Sequence, residues 1–280
     1  MGPLSTDSAR LDVTVIDGRL PAGFGLIEAW RRRDLVGFLV LRDLKLRYRQ
    51  TALGAAWAVL QPLGTMAIFT LVFVRVAGMS ADGLPYPLWS YVGLVAWTYT
   101  ANSLNRAASS VVGNAALVDK VYFPRVVLPL AAVLSGLVDF AIASLLLVVL
   151  LAWYGVVPGL AVVAWPVFAS FMVVVALGFG LWVAALNARY RDAQHVLPFA
   201  VQGWLFATPI AYPASALPKA WRAALGLNPM AGVVDGFRWS LLSADVSPGA
   251  LALSAAVTLA LLVGGLVYFD RVQSDFADFV

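Results

Sequence analysis

The sequence predicts an all-α integral membrane protein. It would be a six-helix transmembrane bundle with an amphipathic N-terminal interface helix and re-entrant helices between spans five and six. Three observations predict it. Of the 280 residues, 61% are hydrophobic and 12% are charged, and that charged share is about half of what a soluble domain carries. Mean hydropathy is +0.85, which suits lipid rather than water as the outer solvent. The apolar stretches run almost end to end, separated by Gly/Pro-rich or basic connections. The chain therefore reads as one membrane domain with a polar arm in front.

Residues 1–25 carry Asp7, Asp12 and Asp17 and no apolar h-region. They read as a loose cytoplasmic arm, not as a cleavable signal peptide. In residues 26–50, Leu35, Phe38, Leu39, Leu41 and Leu44 interleave with Arg42, Lys45, Arg47 and Arg49. Apolar and basic residues mixed in this way suit an amphipathic helix on the cytoplasmic membrane face. The plainer alternative is a linker helix packed on the bundle.

Residues 51–270 form the membrane domain and 271–280 a short tail. Span one is expected at about 53–76, with Gln61 and Pro62 inside it. A proline there frees a carbonyl and kinks the helix. Span two, about 88–109, carries Asn102, Ser103, Asn105, Arg106 and Ser109 in its second half, so that half should face protein or water. Residues 110–126 are too polar and short to cross and read as a cytoplasmic loop holding a short helix. Span three is expected at about 127–153 and span four at about 160–186. A cytoplasmic loop follows at 187–195. Span five, about 196–212, is short and contains Pro198 and Pro209. Between 214 and 248 the apolar pieces are broken by Pro218, Gly226, Pro229, Gly232 and Gly236. Each piece is below the ~17 residues a crossing requires, which suggests surface or re-entrant helices. Span six is expected at about 250–269.

Under this arrangement most of the 19 lysines and arginines fall on one side. The positive-inside rule places that side, and both termini, in the cytoplasm. The same bias explains the net charge of +4 without nucleic-acid binding, which needs a basic groove with accessible aromatics.

The chemistry of an enzyme is missing from the sequence. It has no cysteine and a single histidine, His195, so thiolate and multi-histidine metal sites are excluded. No GxxxxGK[ST], HExxH or GxSxG stretch occurs, and each would carry a known catalytic or phosphate-binding geometry. The chain reads as non-catalytic, so uphill transport would draw on an ion gradient or a partner ATPase. Asp139 is the one charged residue deep inside an expected span. Such a group is either a structural carboxylate hydrogen-bonded in the bundle or a contact for substrate or channel water. Phe69, Phe73, Trp97 and Tyr99 are candidates for lining a sugar path. Aromatic belts at the membrane surfaces are the alternative explanation for rings near span ends.

Four ordered motifs carry a family resemblance. The first is Leu41–Pro62, with Arg42, Asp43, Lys45, Arg47, Tyr48, Leu53, Gly54, Trp57 and Pro62. The second is Asn114, Ala115 and Leu117, then Lys120-Val121-Tyr122-Phe123-Pro124-Arg125, then Leu128-Pro129. The third is Asn187 to Asp192, and the fourth Asn228-Pro229-Met230 with Phe237 and Arg238. The chain resembles the polysaccharide and polyol-phosphate ABC exporter permeases, the Wzm-type O-antigen and TagG-like teichoic-acid transmembrane subunits. The resemblance implies a homodimer bound to two copies of a nucleotide-binding ATPase, with ATP and Mg on the ATPase and no cofactor on this chain. It implies a bacterial inner membrane and an undecaprenyl- or polyprenyl-linked glycan (O-antigen, teichoic acid, capsule or galactan) as cargo. Asn114, Leu117, Lys120, Tyr122, Phe123, Pro124 and Arg125 would form the ATPase-coupling loop. Arg42, Lys45, Arg47, Tyr48 and Arg49 would meet the lipid pyrophosphate or simply anchor the interface. A permease exporting lipids or drugs is the alternative function. A membrane scaffold is a third reading, and it expects no bound ATPase.

Overall fold

A computed structural model describes residues 24–49, 51, 53–81, 83–121, 123–273 and 276. Nearly all of the expected N-terminal arm, Tyr122 and most of the tail lie outside these residues. The described chain is helical, with an isolated bridge between Ala81 and Leu84.

The expected interface helix is two helices, α1 (Phe24–Arg31) and α2 (Arg33–Tyr48). The apolar residues of α2 occupy more than one face. Val36 and Leu39 are buried against the bundle, while Phe38, Leu41 and Leu46 are exposed. A single apolar stripe, as the amphipathic reading requires, is not what α2 presents. Its last turn carries Lys45 and Arg47, where cations complement the negative end of the helix dipole.

Five long or central helices follow the order expected. They are α3 (Trp57–Phe69), continued by a π-helical stretch at Thr70–Val76, then α4 (Tyr86–Ser110), α6 (Val127–Trp153), α7 (Trp165–Arg189) and α11 (Pro248–Val272). Between them stand α5 (Ala115–Lys120), α8 (Ala193–Ala207), α9 (Lys219–Leu225) and α10 (Pro229–Leu242). Helix starts are set by local chemistry. The Asn228 side chain accepts from the Met230 amide at 3.0 Å with Pro229 in the first turn, and Ser247 accepts from Ala250 with Pro248 behind it. Both are standard N-cap arrangements.

The six-helix bundle expected from the sequence is not present. Among the described residues, four helical stretches are long and apolar enough to cross a membrane: Gly54–Val76, Val127–Trp153, Leu160–Arg189 and Pro248–Val272. Expected span two is long enough as α4, with 25 residues, but too polar to count among them. The reason is its position. It packs against α3, α6, α7 and α10, and a helix enclosed by protein needs no apolar coat for lipid. Expected span five shortens to the 15 residues of α8, below the ~20 needed to cross, because the chain leaves the helix before Pro209. The re-entrant helices expected within 214–248 are not found either. The apolar residues there serve the protein core: Met230, Val233, Val234 and Phe237 of α10 are fully buried against α4, α7 and α11.

The tightest pairing joins α7 to α11. A Cβ placed on Gly265 would meet the Gly178 carbonyl oxygen at 2.8 Å, and one placed on Gly178 would meet the Leu262 amide nitrogen at 3.1 Å. Backbones approach this closely only where side chains are absent, the usual basis of small-residue helix pairs in membranes. Trp182 then closes the pair, donating Nε1–H to the Leu261 carbonyl at 3.1 Å. Gly265→Val should separate the helices and cost about 1–3 kcal/mol, the range for overpacking. A lower melting midpoint of the detergent-solubilised protein, with Gly249→Val unchanged as the open-space control, checks this.

Candidate functional site

The polar centre of the molecule is built on α6. A carboxylate twelve residues into an apolar helix must find partners or lose its charge. Asp139 finds them on two other helices. Arg47 of α2 lies with NH1 2.5 Å from Oδ2, and the Tyr48 hydroxyl donates to Oδ1. Arg106 of α4 approaches Oδ2 at 3.7 Å. Arg47 reaches this position because it ends α2 on the face that carries Val36 and Leu39. Its other donors go to the Ser135 hydroxyl at 3.0 Å and the Ser135 carbonyl at 3.4 Å. Arg106 donates to Ser103 Oγ at 3.1 Å and to the Ala132 carbonyl at 3.4 Å. Two guanidiniums thus share one carboxylate, leaving the cluster with a surplus positive charge.

The cluster borders a cavity of about 280 Å³ between α2, α3, α4 and α6. Trp57, Gln61, Tyr99 and Asn102 also line it, and Asn102 donates to Gln61 at 3.4 Å. Gly136 makes the room. A Cβ there would collide with the Arg106 guanidinium and the Ser103 hydroxyl. Ala58 lines the same wall, and Pro62 has no N–H to give the carbonyl one turn back. The cavity therefore presents cations, amides and an indole together.

The candidate residues separate into groups. Arg47, Tyr48, Tyr99 and Asp139 converge on this cavity. Arg42 instead turns to Asp43, with NH2 to Oδ1 at 2.9 Å, and Lys45 and Arg49 are exposed. Phe69 and Phe73 pack edge to face on each other at 5.5 Å. Trp97 is buried edge to face against Trp204, also at 5.5 Å. These three rings lie away from the cavity wall within this chain. In the expected coupling loop, a 3-10 turn at Val112–Asn114 leads into α5, and the Asn114 side chain donates to the Ser110 carbonyl at 2.7 Å. Phe123 and Pro124 are buried, Leu117 is half-buried and Lys120 is exposed. Arg125 is turned inward: it donates to the Gln273 carbonyl and lies 5.8 Å from the Phe276 ring centroid.

Sequence reasoning singled out Asp139 but not its second cation. Arg106 stood among polar residues of an expected span, and nothing in the linear pattern tied it to α6. The clearest available signal was Gly136, one turn before Asp139, which a packed apolar helix does not require. Arg238 was likewise seen only within a motif. It is 4% exposed, donates to the Pro209 carbonyl at 2.6 Å and stacks 3.4 Å from the Trp89 ring centroid.

Four membrane-length apolar helical stretches, two of which border a charged, partly enclosed cavity, define the class: a multi-pass membrane protein with a polar interior. Comparison with known proteins narrows that class. The chain belongs to the ABC-2 type transporter family, whose model matches residues 34–242. It is 32% identical to the O-antigen export system permease protein RfbA of Myxococcus xanthus, over 90% of this chain and 97% of that protein. It is 27% identical to RfbA of Klebsiella pneumoniae over 88% and 94%. Against the polysialic acid transport protein KpsM of Escherichia coli it is 25% identical over 82% and 90%.

Two outcomes follow from the Asp139 geometry. Asp139→Ala would leave Arg47 and Arg106 side by side without their shared carboxylate. The expected cost is about 2–3 kcal/mol, under the ~3–5 of a fully buried pair because these side chains keep some exposure, and thermal melting would read it. The second concerns Tyr48. Burial first, and the hydrogen bond to Asp139 second, push its phenol up to about 12. Since the folded value lies above the ordinary 10.0, the neutral phenol's contribution is complete below pH 10 and is lost as pH rises toward about 12. An alkaline absorbance titration of wild type minus Tyr48→Phe should place this phenolate near 12, and a value near 10 would mean that the phenol is neither buried nor bonded there.

Proposed function

We propose that this chain is the membrane permease subunit of an ATP-driven exporter that moves a lipid-linked polysaccharide outward across a bacterial cytoplasmic membrane. The observation that carries the reading is the end-to-end similarity to O-antigen export permeases. The structural feature that fits it is the cationic cavity. A diphosphate joining lipid to glycan carries charge that Arg47 and Arg106 can meet with charge-assisted hydrogen bonds. Asp139 holds both guanidiniums apart and pre-orders them, and Tyr48 adds a donor. Trp57, which is exposed, offers a ring face to the first sugars. Arg42, Lys45 and Arg49 sit on the outward side of α2, where they suit anionic headgroups. The basic α1–α2 segment then faces the cytoplasm, as the positive-inside rule asks.

The permease works as a homodimer with two copies of a separate ATPase, which bind ATP and Mg. Residues 114–125 form the coupling loop. In it Lys120 is the outward charge, whereas Phe123, Pro124 and Arg125 tie the loop to the bundle. ATP-driven closure of the partner pushes this loop, and α4 carries the displacement directly to Arg106 in the cavity. The two-state bias is supplied by differential binding of the partner.

The test is affinity purification of the tagged protein from its native membrane in mild detergent, with and without Lys120→Glu. A stoichiometric ATPase is expected with wild type and should be largely lost with Lys120→Glu, while the melting midpoint stays unchanged. Arg125→Glu should lower the melting midpoint as well, because it breaks the contact to Gln273. Absence of any ATPase from the wild-type sample would refute the exporter reading.

A further inference from the structure

At the end of the bundle opposite α5 lies a second cavity of about 730 Å³, within the ~300–1,000 Å³ range of ligand sites. It is bounded by the start of α4, the chain through 213–226, α10 and the start of α11. Its frame is rigid. Arg238 donates to the Pro209 carbonyl at 2.6 Å and the Ile210 carbonyl at 3.3 Å and covers the Trp89 ring. Ser254, 1% exposed, donates to the carbonyls of Gly226 and Asn228 at 3.0 and 3.2 Å. Arg222 is also engaged, donating Nε to the Leu217 carbonyl at 2.7 Å. The lining sets the charges of Arg222 and Arg238 against two carboxylates, Asp235 and Asp245, and adds the hydroxyls of Ser243 and Ser247. Ser243 caps α10 in the left-handed region, at φ 53, and so turns the chain that carries Asp245 back along the cavity. Leu242, Val246 and Leu251 supply the apolar part of the wall.

We infer that this cavity is a saccharide subsite, taking a hydroxyl-rich, uncharged stretch of glycan. This rests on the exporter reading above. The two cavities differ in chemistry. The inner one has surplus cations and suits phosphate. The second offers carboxylates, which accept from two neighbouring hydroxyls at once, and serines, which both donate and accept. Apolar side chains between them meet the C–H faces of sugar rings. Arg222 and Arg238 balance the two carboxylates in this lining, so it lacks the surplus of cations that the inner cavity offers a phosphate. On the exporter reading the α2–α5 end is cytoplasmic, so this subsite receives the glycan as it leaves.

The experiment places a photoreactive benzophenone amino acid at Ala244 in this cavity, at Ala58 in the inner cavity, or at exposed Val148 of α6, outside both cavities. The full-length protein is irradiated in cells making their own glycan, purified, and assayed for covalently attached carbohydrate and lipid. Carbohydrate is expected at 58 and 244 and not at 148. Asp245→Asn, an exposed position, and Asp235→Asn should each cut capture at 244 by about tenfold, one charge-assisted hydrogen bond, with capture at 58 unchanged. Carbohydrate at 58 alone, phospholipid or a second copy of the chain at 244, or capture at 244 indifferent to both substitutions would overturn the subsite. Carbohydrate at neither position would overturn the exporter reading itself.

Discussion

The structure depends on how one carboxylate is neutralised where water is scarce. Asp139 sits among apolar residues of α6, and a lone charge there is costly. Its partners come from α2 and α4, so satisfying it ties three helices together at one point. The Arg47–Asp139 contact spans 92 positions of sequence and supplies much of the specific attachment of α2 to α6. The same solution creates the cavity. Two guanidiniums around one carboxylate need space, and Gly136 provides it on the side where Trp57 and Gln61 stand.

The rest of the bundle is arranged around α4. Its buried face includes Leu88, Tyr91, Val92 and Leu94, and its hydroxyl-bearing residues bond to neighbouring backbones, as Tyr91 does to the Ala143 carbonyl at 3.1 Å and Tyr99 to the Val133 carbonyl at 3.2 Å. A polar helix is stable inside a membrane protein on these terms, since its buried hydroxyls find backbone carbonyls in place of water. On the far side, α7 meets α11 chiefly by glycine contact, with the single Trp182 hydrogen bond to the Leu261 carbonyl beside it. The molecule thus combines two kinds of helix association, one by hydrogen bonding near the cavity and one by close backbone packing away from it.

The two ends of the molecule use arginine differently. Arg47 and Arg106 surround a carboxylate and remain in reach of a cavity. Arg238 is directed onto carbonyls and an indole face, where it fastens α10 to the chain after α8 through bonds to residues 209 and 210. Nearly identical side chains therefore serve as a candidate ligand site at one end and as a fastening at the other. What differs is the availability of acceptors: backbone carbonyls freed beside Pro209 at one end, and a shared carboxylate at the other.

The sequence by itself determined that the chain is helical and membrane-embedded, where its long apolar helices run, and which family it resembles. Those properties are local sums of hydropathy, or ordered motifs, and need no knowledge of contacts. It also marked Asp139, because a charge in an apolar run is visible without a fold. Tertiary structure alone decided that α4 is enclosed by protein, that α8 stops short of a crossing, and that the segment 229–242 fills the core. Sequence reasoning reads α4 and α8 as membrane spans, with only the polar second half of α4 facing protein or water, and the 229–242 segment as a surface or re-entrant helix, since an apolar or mixed helix reads the same whether lipid or another helix covers it. The pairing of Arg47 and Arg106 on Asp139, and the inward turn of Arg125, belong to the same class. They join residues far apart in the chain, and which cation meets which acceptor follows only from how the helices pack.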